Sequence, residues 1–224
     1  MILLSQYYEE NLYPLQDGVM KVLSGCKTDF YLTGGTALSR AYYNHRYSDD
    51  LDFFVNNNEN YLSQLSEVFS KLKENGFSWD TEKDFISYDT FTSFKVSWNK
   101  SDALLKLDFV NDNAEYVGEI IETDFYYRTD CIRNMISNKI SAIYRFAAKD
   151  VVDIREIGLR ENVDWFQAIN DARRKEAGVE LSIISQILTS MPQKEFETIV
   201  WTKKPSWEEF QDDINKIVYE MLSS

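Results

Sequence analysis

The sequence predicts an α+β fold, in which a mixed sheet with flanking helices is followed by a C-terminal helical domain. Short runs rich in Phe, Tyr, Val and Leu alternate with polar residues in the first half of the chain, which is typical of strands. From Cys131 onward, apolar residues recur at helical spacing instead. This segregation favours two domains, which we place at residues 1–125 and 126–224.

The first half alternates predicted helices and strands. Helices are expected over residues 2–25, broken near Pro14, and over residues 59–75, where Gly76 ends the helix. Strands are expected because β-branched and aromatic residues alternate with polar ones; they cover residues 29–33, 50–55, 91–98, 103–110 and 117–121. Residues 99–102 read as the loop of a hairpin. The second half carries further predicted helices, around residues 132–147, 150–158, 162–176, 179–190 and 206–222.

Composition excludes several classes of protein. With 224 residues, of which 44% are hydrophobic, the chain can bury a core, and it lacks an apolar run of about 18 residues that could span a membrane. The N-terminal residues have no basic start and no cleavage signal, so we expect a cytoplasmic protein. The net charge of −13 argues against sequence-blind coating of a nucleic acid, but it leaves open a local contact with an RNA end. Two separate cysteines and one histidine do not form a zinc pattern.

One stretch carries residues suited to phosphate chemistry. Gly34 and Gly35 follow a predicted strand, and Thr36 is placed to cap the next helix. Such a turn lets backbone N–H groups approach the phosphates of a nucleotide. Taken alone, a Gly-Gly pair is most often a simple turn.

Carboxylates in two predicted strands suggest a metal site. Asp50 and Asp52 are one residue apart in a strand and therefore share one face, where they can bind Mg²⁺ or Mn²⁺. Asp108 would add a third carboxylate if its strand lies beside theirs. An isolated Asp-x-Asp is usually a solvated strand edge. The glycine turn and the carboxylates together, however, favour phosphoryl or nucleotidyl transfer.

Two segments carry a family resemblance: Leu32-Thr-Gly-Gly-Thr-Ala-Leu38 with His45-Arg-Tyr-Ser-Asp-Asp-Leu-Asp-Phe-Phe54, and Asn138-Lys-Ile-Ser-Ala-Ile-Tyr-Arg-Phe-Ala-Ala-Lys-Asp-Val-Val-Asp-Ile154. The first resembles the opening motif of the AbiEii/AbiGii-type nucleotidyltransferase toxins, which belong to the DNA polymerase β-like nucleotidyltransferase superfamily. The second is similar to a later motif of that family, with its Lys, Arg and Asp residues. The resemblance implies that the mixed sheet is of the nucleotidyltransferase type.

The resemblance also implies roles for individual residues. The catalytic set would be Asp50, Asp52, Lys139 and Asp150. By resemblance the metal ligands would be Asp50 and Asp52, and the strand pattern, independently of the resemblance, adds Asp108. By resemblance Gly34 and Gly35 would bind the nucleotide phosphates. Apart from the resemblance, Thr36 joins this predicted nucleotide-binding set, and Arg46 is a further candidate that either contacts a triphosphate or pairs with Asp49. Asp153 would anchor the helices rather than take part in the reaction.

The implied activity is the Mg²⁺-dependent transfer of a nucleoside monophosphate from an NTP substrate to RNA, with the tRNA 3′ end as one candidate, or to a protein. The family would make the chain the toxin of a toxin–antitoxin or abortive-infection (phage-defence) system with a cognate antitoxin partner. The alternative is a catalytically inactive nucleotidyltransferase fold that binds a nucleotide or a protein, which the strong negative charge favours. A metal-dependent phosphohydrolase fits less well because such enzymes usually add histidines, and this chain has one.

Overall fold

The computed structural model describes residues 4–98 and 102–224. Two compact units make up the chain. The first comprises the residues up to Asn113 together with Ile120–Asp130, and the second comprises Ala114–Glu119 and Cys131–Ser224. The short segment Ala114–Glu119 thus belongs with the helical residues, although it precedes the end of the first unit in the sequence. The division into domains at residues 125 and 126 stays a prediction.

A mixed sheet forms the centre of the first unit. Among the described residues its strands are β1 (Tyr31–Thr33), β2 (Asp50–Asn56), β3 (Phe77–Ser78), β4 (Phe85–Ser87), β5 (Phe91–Trp98) and β6 (Leu105–Asp112). The order across the sheet is β1-β2-β6-β5-β3, and β4 also pairs with β5. β2 and β6 are parallel, whereas the other pairs are antiparallel. The prediction of an α+β fold with a mixed sheet is confirmed.

The two faces of β2 and β6 differ in chemistry. One face is apolar and almost completely buried, and it consists of Leu51, Phe53, Val55, Leu105, Leu107 and Phe109. Phe53 and Phe109 stack there with their ring centroids 5.2 Å apart. The intervening residues of both strands point to the opposite face because side chains alternate along a strand. Burial of the apolar face therefore fixes the acidic residues of both strands on a single surface of the sheet.

Helical segments account for most of the rest of the first unit. They are α1 (Leu4–Tyr7), a π-helix (Tyr8–Leu12), α2 (Tyr13–Leu23), α3 (Gly34–Thr36), a second π-helix (Ala37–Tyr43) and α4 (Tyr61–Glu74). Leu12 and Tyr13, just before Pro14, have helical φ and ψ, and the Tyr13 N–H donates to the Tyr8 carbonyl, so the chain stays helical and the break predicted near Pro14 is wrong. The helix predicted over residues 59–75 is confirmed by α4, whose buried positions recur at helical spacing: Tyr61, Leu65, Val68 and Leu72.

The second unit is helical in the part of the chain that the structure describes. Its helices are α5 (Ile132–Ala142), a 3₁₀ turn (Ile143–Arg145), α6 (Ala148–Arg160), α7 (Trp165–Lys175), α8 (Leu181–Thr189), α9 (Gln193–Glu197) and α10 (Trp207–Ser223). Two of the helices begin with a capping side chain. Asp164 accepts a hydrogen bond from the Gln167 N–H at 2.9 Å, and Ser206 accepts one from the Glu209 N–H at 3.0 Å.

Some local predictions were wrong. The described residues 117–121 contain no strand, and Ile121 instead forms a single bridge with Thr129. Gly118 in this segment has a φ of +92°, which an extended strand does not accommodate. The short strands β3 and β4 were not predicted, since two or three residues show no periodicity. Of the predicted hairpin loop 99–102, residues 99–101 lie outside the described residues. No described helix is both long enough and apolar enough to cross a membrane.

Candidate active site

The glycine turn lies against one of the predicted catalytic carboxylates. Gly34 has a φ of +74°, a conformation that side chains other than glycine rarely adopt. A Cβ atom at this position would also collide with the Asp52 carboxylate. Thr33, the last residue of β1, lies opposite Asp52 in the sheet, so the chain turns directly beside that residue. Glycine is therefore required here both by the backbone and by the close approach of Asp52.

The second glycine has a different neighbour. A Cβ atom at Gly35 would collide with the Arg46 guanidinium and would lie 3.0 Å from Ser48 Oγ. Arg46 is only 2% exposed, and its Nη1 donates a hydrogen bond of 3.0 Å to the Tyr47 carbonyl. In this position Arg46 supports the glycine turn. Contact between Arg46 and a phosphate stays a prediction.

Thr36 ties the start of the helix to the acidic strand. The N-cap of α3 is Thr33, with Thr36 already inside the helix, so the prediction that Thr36 caps it was wrong. Its hydroxyl is buried and donates a hydrogen bond to the backbone carbonyl of Asp50. This bond fixes the glycine turn relative to β2. A role for Thr36, Gly34 and Gly35 in binding a nucleotide stays a prediction.

Parallel pairing brings the acidic residues of β2 and β6 to adjacent positions. Asp52 is in register with Asp108, and Asp50 is in register with Lys106. The sequence analysis required the strand of Asp108 to lie beside the strand of Asp50 and Asp52. The structure meets this condition. Lys106 Nζ lies 2.5 Å from Asp108 Oδ2 in an ion pair whose carboxylate is 13% exposed.

Lys106 experiences the charge of all three carboxylates. Burial alone would lower the pKa of its ammonium group. The hydrogen bond to Asp108 and the charges of Asp108, Asp50 and Asp52 outweigh burial and raise that pKa above its usual value. Lys106 is therefore a permanent cation beside the three acids at neutral pH.

The predicted metal ligands meet part of what a divalent ion requires. They offer hard carboxylate oxygens, which Mg²⁺ and Mn²⁺ prefer. Asp108 Oδ1 is buried and accepts no hydrogen bond from any described residue, so this oxygen is available as a ligand for a cation. Within the described residues, however, no three Asp, Glu, His or Cys side chains are grouped closely enough to hold a metal ion. Asp50, Asp52 and Asp108 adjoin along the strands without forming such a group, and their role as ligands stays a prediction.

The remaining predicted residues form an ion network within the second unit. Lys139 Nζ lies 2.9 Å from Asp150 Oδ1 and 2.8 Å from Asp153 Oδ2. Arg145 donates to both oxygens of Asp150, from Nε at 2.5 Å and from Nη2 at 2.7 Å. The carboxylates of Asp150 and Asp153 are fully buried, and the Lys139 side chain is 9% exposed. Such a network joins α5 to α6, and catalytic roles for Lys139 and Asp150 stay predictions.

Lys106 is the residue of this site that the sequence reasoning missed. A signal was present in the sequence of β6. Leu105 and Leu107 are buried, and Lys106 and Asp108 alternate with them along the strand. The same period-two rule that puts Asp50 and Asp52 on one face also puts Lys106 on the face of Asp108. What the rule cannot supply is the register that places this lysine next to Asp50.

Known structures share this fold. JHP933 of Helicobacter pylori superposes with a TM-score of 0.65 at 21% identity, covering 96% of this chain and 91% of that one. MenT4, a nucleotidyltransferase toxin of Mycobacterium tuberculosis H37Rv, superposes with a TM-score of 0.65 at 15% identity, covering 99% of this chain and 86% of that one. At these identities the likeness shows the fold alone.

Sequence comparison extends over nearly the whole chain. The uncharacterized protein aq_aa25 of Aquifex aeolicus (strain VF5) is 24% identical over 229 residues, which cover 93% of this chain and 96% of that protein. The family model described as nucleotidyl transferase AbiEii toxin, type IV toxin–antitoxin system, matches residues 20–216. That match includes the glycine turn, the acidic strands and the Lys139 network. The chain therefore belongs to the AbiEii family of nucleotidyltransferase toxins of type IV toxin–antitoxin systems.

Proposed function

We propose that this nucleotidyltransferase moves a nucleoside monophosphate from an NTP to a hydroxyl group of RNA, with the tRNA 3′ end as a candidate, or of a protein side chain, and that it requires Mg²⁺ or Mn²⁺. The observation that carries the proposal is the adjacency of Asp52 and Asp108 on parallel strands, with a buried oxygen of Asp108 that lacks a hydrogen-bond partner among the described residues. A glycine turn held against Asp52 adds a second feature suited to phosphate.

In the proposed reaction, the acceptor oxygen forms a bond to the α-phosphorus of the NTP as the bond from that phosphorus to the pyrophosphate oxygen breaks. The acceptor hydroxyl gives up its proton to solvent water, and pyrophosphate leaves. Asp50, Asp52 and Asp108 are the residues that would hold the divalent ion. When bound, such an ion stabilises charge on the phosphate oxygens and activates the attacking hydroxyl.

The chain's own residues orient the donor in this proposal. The Gly34–Gly35 turn presents backbone N–H groups at the start of a helical segment, an arrangement that favours phosphate oxygens. Thr36 and Arg46 keep that turn in place through the Asp50 carbonyl bond and the contact at Gly35. From the family motif we also propose catalytic roles for Lys139 and Asp150, in which Lys139 supplies positive charge for a phosphate.

The partners follow from the family and from charge. Membership of a type IV toxin family implies a cognate antitoxin. A net charge of −13 disfavours broad contact with RNA, so an RNA acceptor would be bound through a local surface near its end.

The test is a label-transfer experiment. The purified protein is incubated with each of the four α-³²P-labelled NTPs, with total RNA and with total protein as acceptors, in Mg²⁺ and in excess EDTA. We expect label in one acceptor class with Mg²⁺ and none with EDTA. Absence of transfer from every NTP by protein shown to be folded would overturn the proposal, and label in RNA or in protein would decide between the acceptors.

A further inference from the structure

Lys106 lies at the centre of the acidic face of the sheet. It is paired with Asp108 on its own strand and is in register with Asp50 on the neighbouring strand. Its ammonium group also experiences the charge of Asp52. Three carboxylates therefore surround a cation that the chain itself supplies.

We propose that Lys106 is an internal cation that occupies the carboxylate site in the absence of metal and must leave Asp108 before a divalent ion binds. The inference rests on the proposed function, because it assigns Asp50, Asp52 and Asp108 to metal binding. In the structure the ammonium group already holds one oxygen of Asp108.

Charge accounts for the presence of such a lysine. Three carboxylates on adjacent strand positions repel one another, and a cation among them relieves that repulsion when no metal is bound. A divalent ion does the same with twice the charge. The two cations would also repel each other at close range, so each excludes the other from Asp108.

The lysine has room to make this change. Its side chain is 43% exposed, so the ammonium group can reach solvent once its part-buried pair with Asp108 breaks, whereas Asp108 is 13% exposed and stays in place. Because metal binding must displace Lys106, the free ion should bind weakly. A metal ion that arrives with a triphosphate brings additional contacts, so Lys106 makes the site selective for the metal–nucleotide complex over the free metal.

Lys95 provides a matched control for Lys106. It lies directly opposite Lys106 on β5, and its side chain is 44% exposed. Its ammonium group pairs with Asp84 at 2.7 Å instead of with the acidic face. Lys95→Met therefore removes one positive charge from a lysine of similar exposure on the neighbouring strand. The pair between Lys106 and Asp108 stays in place.

The experiment is a titration with Mn²⁺ alone, followed by the paramagnetic resonance signal of the free ion, at constant ionic strength. Lys106→Met should bind Mn²⁺ about tenfold more tightly than the wild type, equivalent to about 1.4 kcal/mol. Lys95→Met and the charge-preserving Lys106→Arg should bind like the wild type. If Lys106→Met does not fold, Lys106→Gln removes the same charge with a polar side chain.

Several results would overturn the inference. Equal or weaker binding of Mn²⁺ by Lys106→Met or Lys106→Gln would do so while leaving the metal site intact, and it would point to Lys106 as a ligand of the phosphates. Binding of Mn²⁺ by Lys106→Arg as tight as by Lys106→Met would show that charge is not the cause. A repeat titration with a non-hydrolysable ATP analogue, compared with a protein-free control because the analogue itself binds Mn²⁺, separates the two hypotheses. If neither the wild type nor any variant binds Mn²⁺, with or without the analogue, the proposed function and the inference both fail.

Discussion

The two units use the same types of residue in opposite ways. On the sheet of the first unit, three carboxylates adjoin one lysine, and a buried oxygen of Asp108 accepts no hydrogen bond from the described residues. In the second unit, two buried carboxylates, Asp150 and Asp153, face Lys139, and Arg145 adds a second cation. The first arrangement has an excess of negative charge and the second is balanced. An excess of negative charge can take up a cation, whereas a balanced buried network stabilises the helices that carry it.

The largest effect is expected on the balanced network. Lys139→Met would leave the buried carboxylates of Asp150 and Asp153 without this cation, and we expect the free energy of unfolding to fall by about 3–5 kcal/mol. Thermal unfolding followed by circular dichroism measures the change. Lys194→Ala, in the same unit, removes a lysine that is 80% exposed and should unfold like the wild type. If Lys139→Met were as stable as the wild type, the claim that this buried network stabilises the second unit would be wrong.

On the acidic face of the sheet we expect a small effect on stability and a large effect on activity. Asp50→Asn removes a carboxylate from the excess, so stability should change by no more than about 0.5 kcal/mol, as for a surface substitution. Label transfer should fall about 100-fold or more, because a preorganised electrostatic partner of the reaction is lost. The two measurements, unfolding and transfer, are made on the same preparation. Asp84→Asn, which alters the exposed pair with Lys95, should retain transfer, and loss of transfer in both variants would contradict the assignment.

The glycine turn links stability and activity within the first unit. Gly34→Ala places a methyl group in the left-handed region and against the Asp52 carboxylate, so we expect a loss of about 2 kcal/mol together with weaker transfer. Urea unfolding and the label-transfer rate measure both effects. At Gly178 a new Cβ would lie 3.8 Å from Glu176 Oε1, so Gly178→Ala should be tolerated. Full stability of Gly34→Ala would show that the turn can shift away from Asp52.

A surface acid provides the smallest effect. Asp29 accepts hydrogen bonds from Asn58 at 2.9 Å and Gln64 at 2.7 Å, and these bonds hold the pKa of its carboxyl below the usual range. A lowered pKa in the folded state contributes stability above the unfolded pKa of about 3.9, and this contribution is lost as the pH falls through the folded value.

Asp29→Asn should therefore cost at most about 0.5 kcal/mol at pH 7, because solvent screens this exposed group, and the cost should vanish in acid. Urea unfolding at pH 7 and at pH 3 measures the difference. In a Gln64→Ala background, which lacks one donor, the difference at pH 7 should shrink. A difference that grows towards low pH would reverse the sign of the argument.

Much of the fold could be predicted because it depends on local periodicity. Period-two alternation predicts β2, β5 and β6, and the spacing of apolar residues predicts α4 and the helices of the second unit other than the short α9. The strand expected at residues 117–121 was wrong, since Gly118 has a positive φ and only Ile121 forms a bridge, with Thr129. The two-residue strand β3 exists because Phe77 stacks on Trp98 with ring centroids 5.4 Å apart, a contact across 21 positions of sequence.

The candidate site divides in the same way. By itself the sequence determined that Asp50 and Asp52 share a face, that a glycine turn precedes them, and that the chain carries the motifs of its family, because these are properties of neighbouring residues. Only the tertiary structure decided that Asp108 adjoins Asp52, that Arg46 is buried against Gly35, and that Lys106 lies among the acids. Those contacts depend on strand order and register, which are set by burial of the apolar face across distant parts of the chain and not by any local pattern.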